Sequence, residues 1–315
     1  MRVAALREPK RFEVMDEPVP EIGPDEVRVR VAACGVCASE LDIWRGAAGH
    51  ATFPRYPGHE VSGIVESVGD DVTELAVGDP VAVWVTTRGF GELVALRAEY
   101  CVPADGLPLD TALGEPLGCA VNAVELAAPA LGDDVVVIGA GFMGLLIAQL
   151  VRLRGPRQLI VADLRDDALA RAAAAGATAT VNVRETSLPD AVRERTDGRG
   201  ADVTIEATGT QAALDVLGDV TRMSGTVAIV GYHQGEPRSI PLAHWNWMAF
   251  RIANAHFREA ATIMHGMRTG MRLLRSGRVS VADLVTHRFL LDDIDAAFRA
   301  AVEKPPGFVK ATVIP

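Results

Sequence analysis

The sequence predicts an α/β protein of two domains, a β-rich, barrel-like domain followed by a doubly wound parallel sheet. Three observations carry this. Up to about residue 130, short β-rich runs are separated by Gly, Pro and Asp. Beyond that point strands and helices alternate, and the final stretch, 285–315, returns to short strands around one helix. A length of 315 residues accommodates two domains.

In the first part the runs 26–33, 61–68 and 80–85 are rich in β-formers. Turn signals stand between them at Ile22-Gly23-Pro24-Asp25, Gly69-Asp70-Asp71 and Gly78-Asp79-Pro80. This pattern reads as an antiparallel domain with few helices. From residue 134 the expected strands are 134–138, 159–162, 180–183, 202–206 and 226–230, with 251–255 as a sixth. The helices between them are 142–154, 166–175, 188–196 and 211–222. Apolar strands alternating with amphipathic helices imply a parallel sheet covered on both faces. A last helix, 294–303, sits in a segment expected to fold back onto the first domain. The expected limits are 1–118, 119–284 and 285–315.

Composition excludes several classes. Hydrophobic content is 49% and charged content 23%, ordinary for a soluble globular chain. A formal net charge of -10 argues against a nucleic-acid partner. No apolar run is long enough for a bilayer span, and the first residues lack the apolar core of a signal peptide, so a cytoplasmic location is expected. In a reducing compartment Cys34, Cys37, Cys101 and Cys119 read as buried thiols, metal ligands or nucleophiles rather than disulfide staples.

The run Val135-Val136-Val137-Ile138-Gly139-Ala140-Gly141-Phe142-Met143-Gly144 is a strand, a G-x-G-x-x-G and the start of a helix. Gly139 permits the tight turn, Gly141 lets the backbone approach a pyrophosphate, and Gly144 lets helix and strand pack closely. The helix start at Phe142 and Met143 offers free N–H groups to the phosphates. Asp163, at the end of the next strand, is placed to accept from both ribose hydroxyls and to repel a 2′-phosphate, which favours NAD over NADP. Arg165 close behind counts the other way, and the bland alternative is that Asp163 caps the following helix.

Three further segments carry metal-ligand chemistry: Cys34-Gly35-Val36-Cys37-Ala38-Ser39-Glu40, Gly58-His59-Glu60-Val61-Ser62-Gly63 and Gly114-Glu115-Pro116-Leu117-Gly118-Cys119. Thiolate, imidazole and carboxylate are zinc ligands, and three of them with one open position make a catalytic site. Taken singly they are weak. Cys34-x-x-Cys37 also reads as half of a structural zinc site or a redox pair, and a lone His59 as a structural histidine.

In this order, with Gly78-Asp79-Pro80-Val81 and the glycine run, the segments resemble the medium-chain dehydrogenase/reductase superfamily, in its zinc-containing alcohol and polyol dehydrogenase branch. The resemblance runs essentially end to end. It implies a GroES-like β-barrel catalytic domain, a Rossmann domain and one catalytic zinc ion per chain. It matches Cys37, His59 and Glu115 to the zinc ligands, and Glu60 to the carboxylate beside the metal, which binds it directly in some members. Ser39 matches the hydroxyl that relays the substrate proton, and Glu40 a partner of His59. Val230 and Gly231 are implied to hold the nicotinamide ring.

There are departures. The usual relay histidine is replaced by Asp42, for which Asp42 itself or His50 could substitute. No cysteine stands between Val81 and Tyr100, so the four-cysteine structural zinc lobe is missing. Cys119 is a rival ligand or a small pocket-lining residue. The expected activity is hydride transfer between NAD and a secondary alcohol, polyol or cyclitol, with the ketone in reverse, by a homodimer or homotetramer. The alternatives are a zinc-free NADPH-dependent quinone or enoyl reductase and a non-catalytic cofactor-binding protein. Gly231-Tyr232-His233-Gln234 and Trp245-Asn246-Trp247 resemble a short-lobed subgroup. The two tryptophans read equally as core or interface anchors and as pocket residues.

Overall fold

The chain begins with an antiparallel hairpin, β1 (Arg2–Glu8) and β2 (Arg11–Asp16). β3 (Glu26–Gly35) follows. Val27, Val29, Val31 and Ala33 are buried on one face while Arg28 and Arg30 turn outward, the two-residue period of a half-covered strand. Next come α1 (Ala38–Arg45), β4 (Glu60–Val68), β5 (Pro80–Trp84), β6 (Leu93–Arg97), β7 (Cys101–Pro103) and α2 (Gly114–Ala127). The computed structural model describes residues 1–47 and 52–315, in two units, Met1–Gly118 with Ile263–Pro315 and Cys119–Thr262.

The second unit is built from β8 (Asp134–Ile138), α3 (Phe142–Arg152), β9 (Gln158–Asp163), α4 (Asp166–Ala174), β10 (Ala179–Asn182) and α5 (Leu188–Arg195). These are followed by β11 (Ala201–Glu206), α6 (Gln211–Val220), β12 (Thr221–Ile229), α7 (Leu242–Trp247) and β13 (Arg251–Asn254). All six strands are parallel, in the order β10-β9-β8-β11-β12-β13, so the winding reverses between β8 and β11. Register places Ala162, Ile138, Glu206, Ile229 and Asn254 in one row at the carboxyl edge. At the opposite edge Asp134 is fully buried and takes Arg157 through Nε at 2.8 Å and Arg199 at 3.1 Å. Trp245 is a core residue among Leu214, Leu217 and Val227, whereas Trp247 is 78% exposed.

The chain then forms α8 (Ala260–Arg275), β14 (Val285–Leu290), α9 (Ile294–Glu303) and β15 (Lys310–Ile314). α8 is absent from the sequence reading, and it moves the second boundary from the expected 284 to Thr262. Its Met264, Met267 and Met271 pack with Ala82, Val102, Ala104 and Ala112 of the first unit, so the return begins with this helix. Gly270 allows the approach, since a Cβ there would lie 2.7 Å from Leu117 Cγ. The first unit's main sheet runs β14-β15-β3-β4-β5-β7, with β6 also on β3. It is antiparallel except for the β14–β15 pair. Phe298 of α9 fills the core against Phe12, Trp44 and Phe90.

Candidate active site

Pairing of Gly35 with Glu60 fixes one end of the β3–β4 ladder. Cys37 leaves β3 and becomes the N-cap of α1, while His59 stands just ahead of Glu60, so both arrive at the same end of the sheet. There the Cys37 Sγ, a His59 ring nitrogen and a Glu60 carboxylate oxygen lie within 4.8 Å of one another. Glu40, only 3% exposed, organises this corner. Its Oε1 accepts from Gly58 N at 2.6 Å and faces His59 Nδ1 at 3.0 Å, and its Oε2 accepts from Cys37 N at 3.3 Å. Because Glu40 engages Nδ1, the lone pair of the neutral His59 ring is the one on Nε2, which a metal can take. Burial opposes charge on His59, but Glu40 and Cys37 outweigh it and hold its pKa well above the usual histidine value.

Glu60 is 2% exposed and meets a residue from the far end of the chain. Lys310 Nζ donates to Glu60 Oε1 at 2.7 Å and to the Val36 carbonyl at 2.9 Å, and lies 2.6 Å from Glu60 Oε2 without a well-directed hydrogen bond to it. Burial pulls the Lys310 pKa down, and Glu60, Cys37 and Glu115 together raise it. Gly35 makes the pair possible, because a Cβ there would collide with Glu60 Oε2. Thiolate, imidazole and a buried carboxylate oxygen lacking a directed partner fit a borderline-soft divalent cation such as zinc.

Of the expected ligands, Cys37 and His59 come together, and the carboxylate among them is Glu60. Glu115 stands outside that group, in the first turn of α2, near enough for its charge to act on Lys310. Glu60 joins the pair because it is the next residue after His59, at the start of β4. Ser39 Oγ donates to Cys37 Sγ at 3.2 Å. Asp42 pairs with Arg45 one turn along α1, at 3.0 Å. His50 lies outside the described residues. Cys34 is fully buried in the core, where burial first, and Glu40 and Glu60 after it, push its thiol pKa well up. Cys119 follows Glu115 on α2 and is partly exposed.

In the second unit β8 ends at Ile138. Gly139 turns the chain at φ 104, and Gly141 is the N-cap of α3, which starts at Phe142 and Met143. A Cβ on Gly144 would collide with the Gly139 carbonyl oxygen, whereas one on Gly141 meets nothing within 4 Å, so the backbone there is open to a phosphate. Asp163 ends β9 beside this turn. Its Oδ2 accepts from Ala140 N at 2.7 Å and its Oδ1 from Arg165 N at 3.0 Å. It thus ties the glycine turn to the start of the next segment. Val230 N and Gly231 N both donate to the Glu206 carbonyl, at 2.8 and 2.9 Å. Sequence reasoning assigned no role to Lys310 or Glu206. The one signal was a lone lysine between Val309 and Ala311 in an otherwise apolar strand.

Comparisons with known proteins agree with this arrangement. Residues 23–131 match the alcohol dehydrogenase GroES-like domain and residues 143–269 the zinc-binding dehydrogenase domain. The chain is 30% identical over 326 residues to an L-threonine 3-dehydrogenase of Ruegeria pomeroyi, covering 91% of this chain and 92% of that protein. It is 31% identical over 331 residues to sorbitol dehydrogenase 1 of Saccharomyces cerevisiae, covering 90% of each. Among solved structures, 2R,3R-butanediol dehydrogenase of Bacillus subtilis superposes with a TM-score of 0.86 at 25% identity, over 100% of this chain and 99% of that one. A zinc-binding dehydrogenase of Sinorhizobium meliloti 1021 bound to NADP gives the same TM-score, identity and coverage. With both domain types matched in order and relatives aligned over nine-tenths of its length, the chain belongs to the zinc-type medium-chain dehydrogenase/reductase family, among the alcohol and polyol dehydrogenases.

Proposed function

We propose that the chain is a zinc-dependent, NAD-linked dehydrogenase of secondary alcohols, polyols or cyclitols that reduces the ketone in reverse. The observation that carries this is the Cys37–His59–Glu60 group, held by Glu40 and Lys310. When bound, zinc supplies the Lewis acidity that makes an alcohol acidic near neutral pH, and NAD supplies the ring that accepts hydride. Cys37, His59 and a carboxylate, Glu60 or Glu115, hold the ion. Glu40 keeps His59 in the ligating tautomer, and Lys310 neutralises part of the charge on Glu60. Ser39, whose hydroxyl lies against Cys37 Sγ, receives the substrate proton, and Asp42 is the next acceptor outward. Gly139, Gly141 and Gly144 leave room for the pyrophosphate, and the Asp163 charge favours a free 2′-hydroxyl. Arg165 and the NADP-bound relative count on the other side.

The working form is proposed to be a cytoplasmic homodimer or homotetramer. Among the described residues β13 is an edge strand of its sheet, with Ile252 46% exposed, and no helix is long and apolar enough to cross a membrane. A panel of alcohols, polyols and cyclitols with NAD and NADP, run on zinc-loaded protein, tests the reading. NAD reduction on a secondary alcohol or polyol is expected. Metal-independent, NADPH-linked reduction of an activated double bond would replace it with the reductase alternative.

A further inference from the structure

The carboxyl edge of the six-stranded sheet holds a second buried ionic cluster with no part in the metal centre. Glu206, the last residue of β11, is fully buried. Its Oε1 accepts from Thr208 N at 2.6 Å, Thr208 Oγ1 at 2.6 Å and Gly209 N at 2.8 Å. Its Oε2 faces His233 Nε2 at 2.9 Å. Three donors converging on one oxygen call for an ionised carboxylate, so His233 directs an Nε2–H at the other. Gly231 permits the contact, since a Cβ there would run into Glu206 Oε2. The Gly231 carbonyl in turn faces His256 Nε2 at 3.3 Å, and the His256 ring stands edge-on to Tyr232 with centroids 5.4 Å apart.

One carboxylate thus ties the turn after β11 to the exit of β12, and His256 ties that exit to the segment after β13. In a sheet wound this way, ligands lie outside the carboxyl ends of the strands, one mononucleotide to each half. The Gly139 turn and Asp163 belong to the β8–β10 half. The ends of β11 to β13 are left to the other nucleotide. His233 Nδ1 is buried with no protein partner.

We propose that His233, held by Glu206, is a positioning residue for the nicotinamide half of the dinucleotide, setting the β11 and β12 exits that receive its ribose and carboxamide. The proposal rests on the dinucleotide reading above. An apolar residue in place of His233 would leave Glu206 Oε2 buried without its donor.

The test is equilibrium binding of NADH, ADP-ribose and AMP to the full chain, wild type and variants, with thermal melts alongside. His233→Phe is expected to weaken NADH binding by about tenfold, leave AMP within about twofold, and be largely rescued by His233→Gln, which keeps an N–H for Glu206. If the phenylalanine variant does not fold, His233→Ala carries the same comparison. A loss shared by ADP-ribose assigns the contact to the ribose, and a loss confined to NADH assigns it to the carboxamide. Wild-type affinity for NADH in the variant, or an equal loss of AMP, overturns the proposal while leaving the dinucleotide reading intact. Wild-type protein that binds neither NADH nor NADPH overturns both.

Discussion

Lys310 shows how one residue sets the chemistry of its neighbours. Lys310 is 5% exposed and its ammonium is matched against Glu60, which is 2% exposed. Such a pair adds little net stability over an apolar one, but removing one partner strands a buried charge. Lys310→Met is therefore expected to cost about 3 kcal/mol in urea unfolding of metal-free protein, and Lys310→Met/Glu60→Leu to recover most of it. A double variant as unstable as the single one would show that the two do not act as a pair. Asp163 makes a second residue-scale case. Its charge stands beside the glycine turn, so Asp163→Ala should weaken NADH by about tenfold and narrow the gap to NADPH in paired titrations. An unchanged preference would mean that Asp163 serves only Ala140 and Arg165. Neither role is equally visible in the sequence. Asp163 follows its glycines at a readable spacing, while Lys310 and Glu60 meet only through the return of β15 to β3.

At the scale of elements, the strands and most helices of the second unit are legible because apolar runs and amphipathic stretches alternate with clear turns. α9 is legible at both ends. α8 is not, because Gly266, Gly270 and Thr269 depress helix propensity, and its purpose, to carry Met264, Met267 and Met271 onto the first unit, is a tertiary fact. The amino edge of the six-stranded sheet gives a pH prediction. Asp202 accepts from Asp134 N at 2.8 Å and from Arg222 Nε at 2.5 Å. Burial pushes its pKa up, but the Asp134 N–H, Arg222 and Arg199 prevail and hold it below the usual aspartate value. A depressed folded pKa contributes stability above the unfolded value, about 3.9, and loses it as pH falls through the folded one. Asp202→Asn should then cost about 1–2 kcal/mol at pH 7 in urea unfolding, with the difference shrinking below about pH 4. A constant difference across that range would assign the loss to packing.

The whole molecule carries two candidate sites on two units, a proposed metal corner organised by Glu40 and Lys310 and a proposed nucleotide edge organised by Asp163 and Glu206. The first was legible as Cys37 and His59, with Glu60 and Glu115 both read as carboxylates beside them. Spacing along the chain cannot decide between Glu60 and Glu115, and the outcome depends on which one the sheet end carries inward. The measurement that bears most directly on the claim is the zinc content of purified protein, taken by elemental analysis on wild type and Cys37→Ala, with NADH titrated into both. The account predicts close to one ion per chain in wild type, little in the variant, and similar NADH affinity in the two. Wild-type protein that holds no zinc after loading, or a Cys37→Ala variant that retains a full complement, would contradict it.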